Sequence, residues 1–380
     1  MFVVFIWGYV FLNIGLIVRL YFALRGPGVS RPLRLGLCLL AVVFSLAFPA
    51  ARWFEGNGFW MKALTFTGTF CLSMVLHAVL VWILVDAFRL LNRYFHWFSI
   101  APERRVQWRH RCCAGIAGAA LLLSGGGWIN TQYPVIREVK LPAPAGTAPF
   151  RIVLVSDTHL GRLASPAFFN RLVDSIESAS PDLVLFAGDI LEYDFDSSDV
   201  AATAAALQRL KPRLGIWAVL GNHEHINGRG GLNKRLLMQI GFRVLVDEWA
   251  ETGEAHGEKL LLIGRDDLSS RYFTGHERKT LDKILADAPK DGRLKILLDH
   301  QPYHLAEAEA AGVYLQVSGH THNGQLFPVN WVVATIYENA HGHSMRGSTN
   351  YWVTSGAGTW GPRVRTSGRA EIVAIDLVPQ

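Results

Sequence analysis

Residues Ser318-Gly319-His320-Thr321-His322 place two imidazoles two positions apart directly after an apolar run, Val313 to Val317. Where a strand ends and the chain turns, such a pair can point into one space, and neutral imidazole is the commonest metal ligand. Three further apolar runs end in ligand-type residues: Ser156-Asp157-Thr158-His159, Ala187-Gly188-Asp189 and Leu220-Gly221-Asn222-His223. A fourth ends in Asp299-His300. The donors collected this way are Asp157, His159, Asp189, Asn222, His300, His320 and His322, an oxygen–nitrogen set without thiolate that suits Mn, Fe or Zn. Seven donors are too many for one ion and fit two ions sharing a carboxylate. Two ions roughly 3.5–4 Å apart can clamp the attacking and leaving oxygens of a displacement at phosphorus.

The elements that must position these residues begin at Phe150. Short apolar runs at 152–155, 183–186, 216–220, 260–263, 294–298, 313–317, 351–354 and 372–377 read as strands. Helix-like stretches fall at 165–179, 199–210, 231–240, 276–287 and 303–311. Alternation of strand and helix predicts an α/β domain over 150–380, with its site at the carboxyl ends of strands. Residues 131–149, rich in Pro, Ala and Gly, read as a linker.

Residues 1–130 are of another kind. Apolar runs at 3–24, 35–51, 63–88 and 112–129 approach the roughly 20 residues that a bilayer core requires, predicting an all-α transmembrane region of about four helices. The first run has no basic n-region, so it reads as a retained span. This third holds 12 of the 37 Lys/Arg but only three of the 31 acidic residues, Glu55, Asp86 and Glu103. The net charge of +6 therefore belongs to it, and the remainder is mildly acidic, so a basic nucleic-acid surface is not indicated. The arginines cluster after the first and third runs, and positive-inside counting puts those loops in the cytoplasm and everything after the fourth run outside it. Asp86 and His77 fall within the third run. They read as a local ion pair with Arg89 and as a packing or interhelical hydrogen-bonding group. All four cysteines lie in this third, so the second part carries no disulfide framework or thiolate metal site.

The ordered set Asp157-x-His159, Gly188-Asp189, Gly221-Asn222-His223, His300 and Gly319-His320-x-His322 resembles the calcineurin-like metallophosphoesterase family over about residues 150–378. Gly319–Gln325 followed by Pro328, and Ser355–Gly361, are similar to its bacterial membrane-anchored or exported branch, which usually has Gly where this chain has Asn323. The resemblance implies two β-sheets packed face to face with helices outside. It implies Asp157, His159 and His322 on one metal, Asn222, His300 and His320 on a second, and Asp189 bridging. His223 would be no ligand but the acid that protonates the leaving oxygen, after in-line attack by a bridging hydroxide. The purple acid phosphatase variant has a tyrosine ligand where this chain has Glu192, so an Fe(III)–tyrosinate site is not expected.

Other residues near these motifs are less telling. His225 reads as a substrate neighbour or a surface residue, Asp266-Asp267 as a solvated turn in preference to a lining of the cleft, and His341-x-His343 as an exposed loop. Trp360, Arg363 and Arg365 are placed to border the site or to brace the fold. The expectation is a membrane-anchored, extracytoplasmic phosphoesterase with two divalent ions, acting on a phosphorylated substrate that is lipid-linked or envelope-associated. The alternatives are a periplasmic nucleotide phosphodiesterase and a non-catalytic receptor or assembly module on the same scaffold.

Overall fold

The computed structural model describes residues 2–54, 56–144, 147–254 and 259–379. Glu55, counted above, and Ala145-Gly146 of the expected linker lie outside the described residues. The chain divides into two compact units, Met1–Ile129 with Gly361–Val364, and Asn130–Trp360 with Arg365–Gln380.

The first unit contains the helices α1 (Phe2–Ala23), α2 (Arg31–Trp53), α3 (Phe59–Phe95) and α4 (Arg105–Ile129). The stretches Arg31–Trp53, Phe59–Phe95 and Pro102–Ile129 are long and apolar enough to cross a membrane, and Trp7–Ala23 is a shorter apolar helix. A helix satisfies its own backbone in a medium without water, which is why such runs insert as helices. With no hydrophobic drive between helices in lipid, close packing and polar contacts must join them. A Cβ on Gly68 of α3 would lie 2.6 Å from the carbonyl of Ala47 on α2, so only glycine permits that approach. Tyr9 donates to the Ser45 carbonyl at 2.9 Å, and His77 Nδ1 is 2.9 Å from Ser124 Oγ. Asp86 pairs with Arg89 at 3.3 Å and also with Arg19 of α1.

The second unit is two six-stranded sheets. The first has the order β1 (Val135–Ala143), β12 (Glu371–Pro379), β2 (Phe150–Val155), β3 (Leu183–Ala187), β4 (Ile216–Val219), β5 (Arg243–Val244). The second has the order β10 (Gly342–Arg346), β11 (Thr349–Val353), β9 (Leu315–Ser318), β8 (Lys295–Leu298), β7 (Leu261–Gly264), β6 (Glu248–Glu251). The stretch expected to be only a linker therefore contains a strand. β1 pairs in parallel with β12 from Val135↔Glu371 to Ala143↔Pro379. The remaining helices are α5 (Pro166–Ser178), α6 (Val200–Leu207), α7 (Asn222–His225), α8 (Gly230–Ile240), α9 (Ser270–Thr274), α10 (Leu281–Ile284), α11 (Leu305–Ala310) and α12 (Val329–Ile336). Of the helix expected over 276–287 only the four residues of α10 are helical, while α12 has no counterpart in the sequence reading.

Side-chain alternation along the strands makes the layers. Ile152, Leu154, Leu183 and Leu185 point between the sheets against Leu262, Ile296, Leu298 and Val317. Val153, Val155, Val184 and Phe186 point the other way, onto Phe168, Phe169, Leu172 and Ile176 of α5 and Leu237 of α8. Leu281, Ile284, Leu305 and Ala308 cover the far face of the second sheet. Central strands buried on both faces read as unbroken apolar runs, which is what made them legible. Each fully buried Leu or Phe stabilises by roughly 1.5–3 kcal/mol, enough in sum to hold strained loops at the strand ends.

Candidate functional site

The seven expected donors all follow the carboxyl ends of parallel strands. Asp157 and His159 follow β2, Asp189 follows β3 and Asn222 follows β4; His300 follows β8, and His320 with His322 follows β9. Five of them, Asp157, His159, Asp189, His320 and His322, have φ between 48° and 69°, the left-handed region. Non-glycine residues held there cost of order 1–3 kcal/mol each and persist only where the surroundings enforce them. Here the enforcement is visible. The Asp157 amide donates to the Gly188 carbonyl and the His159 amide to the Asp189 carbonyl, both at 3.0 Å. Asp157 accepts the His320 amide at 3.1 Å and the Ser156 hydroxyl at 2.6 Å. A Cβ on Gly319 would lie 1.9 Å from Ser156 Oγ and 2.3 Å from Asp157 Oδ2, so the loop closes only with glycine.

The donors converge in two groups. In the first, His159 Nε2 is 3.1 Å from His322 Nε2, which is 3.3 Å from Asp157 Oδ1. In the second, Asn222 Oδ1 is 2.7 Å from His320 Nδ1 and 3.2 Å from His300 Nε2. Asp189 Oδ2 lies 3.2 Å from His300 Nε2 and 3.9 Å from His159 Nε2, facing both groups, while its Oδ1 accepts the His223 amide at 2.8 Å. Donor-to-donor spacings of ~3 Å match the edge of an octahedron with bonds of ~2.1 Å, so each group could hold one divalent ion. The outward ring nitrogens of His300 and His159 are fixed as metal-binding histidines require. His300 Nδ1 is 2.7 Å from the Ala187 carbonyl, and His159 Nδ1 is 2.9 Å from Glu192 Oε1.

The electrostatics invite positive charge. Burial alone would raise Asp157, but His322 and His300 outweigh it and hold its carboxyl below the ordinary range. Burial pushes His322 down to about 4, and burial with neighbouring His300 does the same to His320, leaving both imidazoles neutral with lone pairs to offer. His223 behaves oppositely. Burial disfavours its charge, yet Glu192 and Asp189 raise it to about 10. Its Nδ1 lies 3.0 Å from Glu192 Oε2, an ion-pair distance out of hydrogen-bond alignment. Its ring meets that of His159 edge-on at 4.6 Å.

Two supporting residues, Glu192 and Glu224, escaped the sequence reading, and a third, Arg365, was open there between bordering the site and bracing the fold. Glu192, noted there only as replacing a tyrosine, joins His159 to His223. Glu224 is fully buried and accepts the amides of Asp189, Ile190, Leu191 and Gly221 at 2.7–3.0 Å, pinning the loops after β3 and β4. Its signal was its place three residues after Gly221, where a helix's third residue reaches back to the cap. Arg365 is fully buried and donates to the carbonyls of Gly358 and His322, with Nη2 3.1 Å from His322 Nδ1. It braces a donor and does not face open solvent. His225 is likewise no surface residue: buried, it meets Asp266 at 2.8 Å. Asp266 and Asp267 are buried, not a solvated turn, because they accept backbone and side-chain donors, Gln301 at 2.9 Å among them. His341 is half-buried against Glu371 at 3.0 Å, and exposed His343 meets Asn350 at 3.0 Å.

Residues 150–324 match the calcineurin-like phosphoesterase family. An uncharacterized metallophosphoesterase of Aquifex aeolicus is 34% identical over 270 residues, which cover 68% of this chain and 97% of that protein. One of Campylobacter jejuni is 29% identical over 65% of this chain and 64% of its own length. A transmembrane protein with metallophosphoesterase domain of Danio rerio is 31% identical over 66% of this chain and 59% of its own length. The match thus spans about three-fifths of these last two relatives. With two mixed sheets, flanking helices and this run of motifs, the chain belongs to the calcineurin-like metallophosphoesterase family. Its apolar helices and transmembrane relatives mark it as membrane-associated.

Proposed function

We propose that the chain is a membrane-anchored phosphoesterase working with two divalent ions, Mn, Fe or Zn. The observation that carries this reading is Asp189, whose Oδ2 faces both donor groups at once. Asp157, His159 and His322 would hold one ion and Asn222, His300 and His320 the other, with Asp189 facing both groups. Such ions, when bound, neutralise phosphate charge and lower the pKa of a water. The chain's own residues complete the reaction. Glu192 turns His159 Nε2 inward and keeps His223 protonated. His223, with Nδ1 toward Glu192, gives its other proton to the leaving oxygen as that oxygen's bond to phosphorus breaks and the bond from water forms. The full donor set and the Glu192–His223 pair argue against a non-catalytic scaffold.

The substrate is a phosphate ester or pyrophosphate carried by a lipid or by the cell envelope. Support comes from the apolar spans, which keep the enzyme at a bilayer, and from the arginine-rich loops, which favour an extracytoplasmic catalytic unit. The test is hydrolysis of bis-p-nitrophenyl phosphate and p-nitrophenyl phosphate by the Mn-supplemented full chain. Turnover lost in His223→Ala and in Asp189→Asn supports the reading. A folded, metal-loaded chain inert toward both esters and toward lipid phosphates refutes it.

A further inference from the structure

We propose that α12 docks on the bilayer that the chain spans and holds the mouth of the metal site at the lipid surface, where a membrane-borne phosphate can enter. This rests on the phosphoesterase reading above and names where its substrate approaches. α12 reads Val-Asn-Trp-Val-Val-Ala-Thr-Ile, and none of its residues is buried. Trp331 is 65% exposed, Val332 57% and Ile336 55%. Two turns rich in β-branched residues and with no fully buried residue gain little from propensity, so in water this helix lacks the buried apolar face that steadies most helices. An apolar medium would supply that.

The helix is tied to the site at both ends. It begins seven residues after His322, and the Tyr337 ring that follows it lies 6.0 Å from that of His320 and 4.9 Å from that of Tyr303. Phe327 packs edge-on against Trp331 at 4.9 Å. Trp360, 44% exposed, joins the same rim, its backbone bonded to the Gln325 side chain in both directions. From Leu326 to Tyr337 there is no charged residue to desolvate. A bilayer is the occupant because the chain's own spans keep one within reach, and tryptophan suits its interface. A short apolar helix alone anchors weakly. Tethered through the same chain it needs only to orient, since its effective concentration at the surface is already high.

The test uses the full chain in phosphatidylcholine liposomes with the triple variant Trp331→Ser, Val332→Ser, Ile336→Ser. Two substrates are compared: soluble bis-p-nitrophenyl phosphate, and a dialkylglycerol p-nitrophenyl phosphate dissolved in the same bilayer. The expected result is a soluble rate within about twofold of the parent and a membrane-borne rate at least about tenfold lower. Separately, a benzoylphenylalanine photoprobe replacing Trp331 should crosslink to lipid, while one replacing Met238, exposed on α8, should not. Unchanged membrane-borne turnover, or no lipid adduct at position 331, overturns the docking. Lipid adducts at 331 in a chain inert toward both esters leave the docking standing and sink the phosphoesterase reading instead.

Discussion

Glu192 Oε1 accepts a hydrogen bond from His159 Nδ1 at 2.9 Å, and the same carboxylate faces His223 through its other oxygen. One side chain thereby orients a candidate metal ligand and charges the candidate acid. Glu192→Gln should lower metal affinity or turnover by about 10–100-fold, the usual effect of losing such a partner. It should also move the alkaline limb of the pH–rate profile to lower pH, because His223 loses the carboxylate that holds its proton. A profile with an unmoved alkaline limb would remove Glu192 from the proton path.

Glu224 collects four backbone amides in a buried place. Removing the acceptor strands donors that each cost about 1–3 kcal/mol when unsatisfied. Glu224→Ala should therefore lose at least about 3 kcal/mol of stability, along with bound metal. Thermal denaturation and metal analysis of the purified chain check both, and a fully stable variant would refute the pinning role.

Gly319→Ala places a methyl against Ser156 Oγ and Asp157 Oδ2, where no space exists. Strand cores are untouched by that change, so circular dichroism should be preserved. Metal content and turnover should fall, the latter by about a hundredfold or more, as misplaced ligands allow. Normal metal content would show that the loop can yield.

Glu371 gives a pH signature away from the metal donors. Burial pushes its carboxyl up, but His341, the Ser355 amide and Arg137 outweigh that and hold it at about 2, below its ordinary 4.5. A depressed carboxyl stabilises the fold fully above the ordinary value and loses that contribution as pH falls toward the depressed one. Glu371→Gln should be less stable at pH 7 by about 3 kcal/mol, with the deficit shrinking between about pH 4.5 and 2. A deficit independent of pH would mean that packing, not charge, is what the glutamate provides.

What the sequence revealed, and what it hid, follows the layering of the sheets. All eight strands read from apolar runs are present, and each supplies core residues. The four that were missed, β1, β5, β6 and β10, are the four sheet edges. Edge strands carry charges and proline to discourage further pairing, as Arg137, Lys140 and Pro142 do in β1, so they lack the apolar signal. The seven candidate donors stood out because they follow the ends of strands. Glu192 and Glu224 did not, because their work lies in hydrogen bonds that only the folded loops create, and those same bonds decide for Arg365 between bordering the site and bracing it. α12 escaped because a short apolar helix and a short strand look alike in sequence.

Metal and turnover counted on one sample test the two-ion site most directly. The full chain, stripped and titrated with Mn, should take two ions per chain. Hydrolysis of bis-p-nitrophenyl phosphate should follow occupancy of the pair, and Asp189→Asn should lose both the second ion and the rate. Two ions bound without turnover, or turnover that survives metal removal or Asp189→Asn, would contradict the account.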